Sequence, residues 1–399
     1  MTLAYLGIIF LVIILLLAFR RPLYQAILGG LSVTALLYRI PPAVFLRQTA
    51  QVFTNWGSLS VLVSLYLITY LQQMLEARQQ IKLAQQDLNR LFHSRRINAA
   101  GASLFIGLLP SAAAVILCGD IVKDATDRYL SPKEQAFVTS WFRHIPESTL
   151  PTYASVLLMA NLSGVPLGSF MLGMLIPILT LGLLGYFPCL HRLPKSSGTP
   201  KRTGRRKDAL HLLQHLWTLL AILALILICK LSVVSAVIVV ILAAIGVYRF
   251  RLGELLSIFR SAFEGSLLLS TFLILALKEL IEYTGALNSL ATALAVLPVP
   301  AYLIFALFFF LGGAISGTNG IIALGTSSAF AAVDGGMPLM VLLMCMCHAA
   351  SQVSPTHLCL VVASDYFHIS LGGLIRKTLP KAFAFCLLMI GYYNLLLLL

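Results

Sequence analysis

Apolar runs of roughly the length that crosses a hydrocarbon core, about 17–25 residues, recur along this chain and are parted by short clusters of charge. They cover residues 3–19, 23–38, 59–75, 150–162 with its flanks, 167–187, 212–228, 233–247, 305–315 with its flanks and 383–398. The pattern predicts an all-α polytopic membrane protein with about ten transmembrane helices. Two shorter stretches, 42–55 and 252–264, read as amphipathic elbows ahead of the third span of each half. Residues 76–96 carry apolar positions at 81, 83, 84, 88, 91 and 92 among charges, the pattern of a cytoplasmic or interfacial amphipathic helix.

Composition agrees with the bilayer. Of 399 residues 59% are hydrophobic and 11% charged, against roughly a quarter charged in an ordinary soluble protein. The first run has no basic residue ahead of it and is followed by Arg20-Arg21, which reads as a span and not as a cleavable signal. A net charge of +14 would suit nucleic acid, but the distribution excludes that partner. With the N-terminus outside and the spans alternating, 23 of the 28 basic residues fall on the cytoplasmic side, as the positive-inside rule requires. Arg39, Arg47, Lys230 and Lys278 fall outside, and Arg143 is left within the membrane. Both termini are then outside, in a multi-pass protein of the cell (inner or plasma) membrane. The basic stretch 191–210 is a cytoplasmic linker between two halves, 1–190 and 211–399. The seven cysteines lie mostly inside apolar segments and read as packing residues.

The two halves echo each other. Pro151-Thr152 and Pro355-Thr356 are 204 residues apart, as are His144 and His348, Asn161 and Asp365, and Gly168 and Gly372. Each half also has an interrupted apolar segment, 101–125 with LPSAAA at its middle and 305–330 with ISGTNG. A full crossing by the first would put Lys123, Arg128 and Lys133 on the wrong side, so both predict re-entrant hairpins. Five spans per half is an odd number, which inverts the second half relative to the first. Inverted repeats with broken segments at corresponding places are the architecture of secondary transporters.

The stretch WFRHIPESTLPT (141–152) then stands out. Pro146 and Pro151 break the helix that begins near Pro132, and 14 residues at 1.5 Å each bring the break about 21 Å deep. Its partner is SQVSPTH (351–357). Four interruptions converge, and substrate contacts are expected from Arg143, Ser111, Thr149, Thr318, Asn319, Ser351, Gln352, Ser354 and Thr356. Arg143 offers a fork of donors suited to a carboxylate; a structural pair with Glu147 at i, i+4 is the rival reading. Coupling to H⁺ or Na⁺ falls to His144, Glu147, Ser316, Gly317, His348 and Asp365. His144, His348 and His357 do not share one helical face, so no resident metal is expected, and no cofactor beyond a bound Na⁺.

The order of elements in each half resembles the ion-transporter superfamily of divalent-anion/Na⁺ symporters, citrate transporters and gluconate permease-like proteins. Within it, WFRHIPESTLPTYASVLL and SPTHLCLVVASDYF resemble signatures of the integral membrane family called domain of unknown function 401, over nearly the whole chain. The resemblance implies Ser-Asn-Thr-type motifs at hairpin tips that bind Na⁺ and carboxylate. Ser316-Gly317-Thr318-Asn319 approaches that pattern; Leu109-Pro110-Ser111-Ala112 departs from it, which puts a first Na⁺ site in question. It further implies elevator-like movement of hairpins and broken helices against a scaffold, and admits a homodimer. The expectation is a secondary active transporter of a small organic anion, coupled to Na⁺ or H⁺. An exporter or cation/proton antiporter, with Glu147 and Asp365 as carriers, is the alternative. An enzyme is disfavoured because no nucleophile–base pair stands out.

Overall fold

The computed structural model describes residues 2–91, 94–107, 113–194, 205–287, 292, 294 and 298–398. The first half runs α1 (Thr2–Ala18), α2 (Leu23–Leu37), α3 (Pro42–Thr54), α4 (Trp56–Ala77), α5 (Gln80–Leu91), α6 (Arg95–Ile106), α7 (Ala113–Thr126), α8 (Pro132–Glu147), α9 (Ala154–Ser163), α10 (Leu167–Gly173) and α11 (Leu175–Tyr186). The second runs α12 (Arg205–Leu227), α13 (Val233–Val247), α14 (Leu252–Ser261), α15 (Gly265–Thr284), α16 (Ala301–Ala332), α17 (Gly336–Ser351), α18 (Leu358–Tyr366) and α19 (Leu371–Leu396). Trp56–Ala77, Leu167–Tyr186, Lys207–Leu227 and Leu371–Leu396 are long and apolar enough to cross a membrane. Large apolar side chains such as Leu11, Leu36, Leu179, Leu242 and Leu387 stand exposed on the helix exteriors, as lipid-facing surface does. The chain is a multi-pass membrane protein.

Helix starts and stops are legible chemistry. Pro22, Pro41, Pro166 and Pro300 stand at the residue before a helix, where a missing N–H costs nothing. Left-handed residues close several helices: Arg20 and Lys230, 210 residues apart, end α1 and α12, and Arg39 and Arg249, also 210 apart, end α2 and α13. Positive φ is uncommon outside glycine, and in these two pairs it recurs at one offset. α8 and α17 are both 16 residues long and begin 204 apart.

The halves grip each other. Arg78, at the end of α4, donates to both carboxylate oxygens of Glu254 on the elbow α14 (3.0 and 3.1 Å) and stacks over Phe250. That fork, with the Arg251 N–H, holds the Glu254 carboxyl down at about 2. Glu134 in the first turn of α8 takes Arg192 at 2.6 Å and Lys377 of α19 at 3.1 Å. Between these clasps the core is apolar, with Phe137, Trp141, Phe170, Phe309 and Phe385 fully buried.

Candidate functional site

α8 opens on a capping box, Ser131 with Glu134, and on Pro132. It carries Pro146 one residue before its end. The carbonyls left open there are met by hydroxyls in the motif and just beyond it. Thr149 Oγ1 donates to the Ile145 carbonyl at 2.8 Å, and Ser155 Oγ to that of Glu147 at 3.3 Å. α9 restarts at Ala154. The break is thus a stable turn, and its small hydroxyls satisfy the backbone groups that the interrupted helix leaves open. The Tyr153 hydroxyl donates to the Gly107 carbonyl at the end of α6. A β-carbon on Gly107 would run into the Arg143 carbonyl. Gly107→Ala should therefore force α6 off α8 and lower stability by about 1–3 kcal/mol. Thermal unfolding in detergent checks this against Gly168→Ala, where nothing lies within 4 Å and the midpoint should hold.

The second break stitches onto the first. Gln352 Nε2 donates to the Trp141 carbonyl at 3.1 Å. Ser148 Oγ lies 2.8 Å from His348 Nδ1, inside the core. Ser354 Oγ donates to the Ala314 carbonyl at 2.7 Å, tying the break to α16. His144 Nε2 meets His357 Nε2 at 2.8 Å, and Glu147 Oε2 lies 3.8 Å from the same His144 nitrogen. Arg143, 4% exposed, points Nη1 at Cys359 Sγ, 3.1 Å away.

α16 is a folded-back pair of arms. Gly317 has φ 73°, ψ 167°. Beyond it Ile321 comes back beside Gly312, and Phe309 lies over Gly325 so closely that a β-carbon would not fit there. A straight helix would hold residues 309 and 325 about 24 Å apart. The turn at Ser316-Gly317 agrees with the interruption expected at 305–330.

These breaks surround one cavity of about 540 Å³, within the range of small-molecule sites. Its walls carry Arg143, Glu147 and Tyr153 from the first break, Ser316 to Gly320 from the turn, and His357 and Cys359 from the second break. α4 contributes Ile68, Thr69 and Gln72, and Glu264 lies ahead of α15. Among the described residues, Asn319 Oδ1 is a buried acceptor with no hydrogen-bond partner.

Of the residues singled out in the sequence, Arg143, Glu147, Ser316, Gly317, Thr318 and Asn319 line this cavity. Thr149, Ser351, Ser354 and Thr356 turn to backbone or to each other: Ser351 Oγ donates to the His348 carbonyl, and Ser354 and Thr356 hydroxyls meet at 2.9 Å. Gln352 and His348 are seam residues between α8 and α17, with His348 also edge-on to Trp141 and Phe385. His144 stands behind the wall, 1% exposed. Asp365 does not join the site: it is exposed at the end of α18, about 12 Å along the helix from His357. Ser111 lies outside the described residues. His357, Tyr153 and Cys359 are cavity residues for which no role was expected. Six cysteines do not touch the cavity, five of them buried, whereas Cys359 faces it.

The family model described as "Protein of unknown function (DUF401)" matches residues 2–395. No curated protein matches the chain significantly. Among solved structures, the YdaH transporter of Alcanivorax borkumensis, reported to have an unusual topology, is similar at a TM-score of 0.61 and 15% identity. The match covers 98% of this chain and 97% of that one. That likeness is one of fold.

Proposed function

The chain belongs to the DUF401 family, and from that premise we propose that it is a secondary active transporter of a small organic anion, a carboxylate, taken up by Arg143 in the cavity between the two helix breaks. The observation that carries this reading is a guanidinium almost wholly buried near the break that ends α8, on the wall of a cavity of small-molecule size. Buried charge at such depth costs several kcal/mol and is retained for function. A planar fork of donors fits a carboxylate. Glu147 and Glu264 on the same wall disfavour a polyanion and favour a monocarboxylate or a zwitterion.

Coupling to Na⁺ is supported by the turn at Gly317. The break leaves backbone oxygens there, and the buried Asn319 Oδ1 adds an acceptor, the hard oxygen donors that Na⁺ takes. The matching helix boundaries at offsets of 204 and 210 support two repeats, inverted in the membrane, whose hairpins and broken helices move together against α2, α4 and α15. Likeness in fold to a transporter agrees with this reading. The test is thermal stabilisation of the purified protein across a carboxylate panel, in Na⁺ and in choline. A carboxylate that stabilises, more strongly in Na⁺, is expected. Stabilisation by Na⁺ alone, with no anion effect, would move the assignment to a cation antiporter.

A further inference from the structure

We propose that the cavity wall contains a transition-metal site, formed by His144 Nε2, His357 Nε2 and Cys359 Sγ with the Glu147 carboxylate as a fourth donor, suited to a zinc-class divalent ion. The three nitrogen and sulfur atoms lie within 4.8 Å of one another, and Glu147 Oε2 is 3.8 Å from His144 Nε2. Zinc takes imidazole nitrogen at about 2.0–2.1 Å and sulfur at about 2.3 Å. In a tetrahedron those lengths set the two nitrogens about 3.3 Å apart and nitrogen from sulfur about 3.6 Å. The 2.8 Å separation of the two Nε2 atoms therefore needs to open by only about half an ångström.

Three features prepare the site. His144 Nδ1 lies 2.6 Å from the Ser140 carbonyl. A carbonyl can only accept, so the proton is on Nδ1 and Nε2 presents a lone pair, the arrangement that orients metal-bound histidines. That lone pair accepts from His357 Nε2–H, whose ring must carry its proton on Nδ1 instead when the metal binds. Cys359 is in the first turn of α18, whose capping residue is His357, and Arg143 Nη1 donates to its sulfur. Helix N-terminus and guanidinium lie where they would stabilise a sulfur already deprotonated by the bound metal. Lastly, one thiolate and one carboxylate balance the charge of a divalent ion. Two nitrogens, a sulfur and one oxygen are a borderline-to-soft set. They fit Zn²⁺ or Co²⁺ and do not fit Mg²⁺ or Ca²⁺, which demand oxygen.

The donors come from opposite halves of the chain, so an occupied site would pin α8 to α18 at the cavity. The site stands whether or not the transported molecule is an anion.

The test uses the full chain, purified in detergent and stripped of metal, in a Cys229→Ser background because Cys229 is the exposed thiol. Titration with Co²⁺ alone is followed by absorption. One equivalent should bind with a sulfur-to-cobalt charge-transfer band in the near ultraviolet, and Zn²⁺ should displace it. Cys359→Ser should remove the band, and His357→Gln should keep the protein folded while weakening cobalt at least 10-fold. A parent protein without the sulfur band, a band that survives Cys359→Ser, or His357→Gln binding cobalt as tightly as the parent would overturn the proposal. None of these readings uses an anion, so failure of the carboxylate panel leaves them unaffected.

Discussion

Arg143→Ala is expected to abolish carboxylate uptake and carboxylate-dependent stabilisation, while the protein still inserts and purifies as a single species. A charge-assisted hydrogen bond contributes about 1.5–3 kcal/mol, so even one lost contact weakens binding about 10- to 150-fold, and a bidentate one more. Arg143→Lys separates two parts of that effect. It keeps the charge and loses the planar fork, so binding should fall between parent and alanine. The measurement is uptake in proteoliposomes together with anion-induced thermal shift. Normal uptake by Arg143→Ala would remove the anion from this cavity wall. The Cys359 sulfur now beside Nη1 (3.1 Å) gives an internal check. If Arg143 only steadied Cys359, then Cys359→Ser would cost transport as much as Arg143→Ala does, and a far milder loss is expected.

Gly317→Ala is expected to lower the thermal midpoint and to reduce uptake further than the lost stability accounts for. At φ 73° and ψ 167° the backbone occupies a region that is almost exclusively glycine's, and a side chain there costs of order 1–3 kcal/mol. No neighbour lies within 4 Å of a β-carbon at Gly317, so the whole effect comes from the backbone and not from a clash. The turn aims Thr318 and Asn319 at the cavity, and relief of strain by unwinding would swing both away. Gly391→Ala in α19, also with open space and an ordinary helical backbone, should leave both measurements unchanged or slightly improved. Equal behaviour of the two variants would mean that the turn is incidental to transport.

Much of the fold can be read from proline and charge. Pro146 and Pro355 mark both helix breaks, and the amphipathic stretches became α3, α5 and α14. The offset of 204 that pairs His144 with His348 also fixes where α8 and α17 begin. The site was half legible. Arg143, Glu147 and the turn at Gly317 announce themselves as ionisable or small residues in apolar surroundings. The pairing of His144 with His357 does not, because it joins residues 213 apart that share no helical period and no repeat offset. Cys359 was hidden in the same way, since one thiol among seven in apolar sequence has no distinguishing neighbour until α18 places it beside Arg143. Asp365 misled for the opposite reason. It stands 204 residues after Asn161, yet Asn161 donates to the Gly57 carbonyl, whereas Asp365 stands exposed at the end of a short helix. A shared offset carries backbone over more faithfully than it carries side-chain surroundings.

The hydrogen bonds that join the two breaks also have a consequence for biosynthesis. The Trp141 carbonyl, Ser148 and the ring of His144 find their partners on Gln352, His348 and His357, which follow by 211, 200 and 213 residues. At about 5–20 residues per second, the ribosome needs roughly 10–40 s to reach them. Throughout that interval the nascent first half holds the Trp141 carbonyl, Ser148 and the His144 ring without these partners, which lipid cannot replace. A fragment ending beyond the linker never makes these bonds, so it is expected to be less stable in the membrane than the full chain.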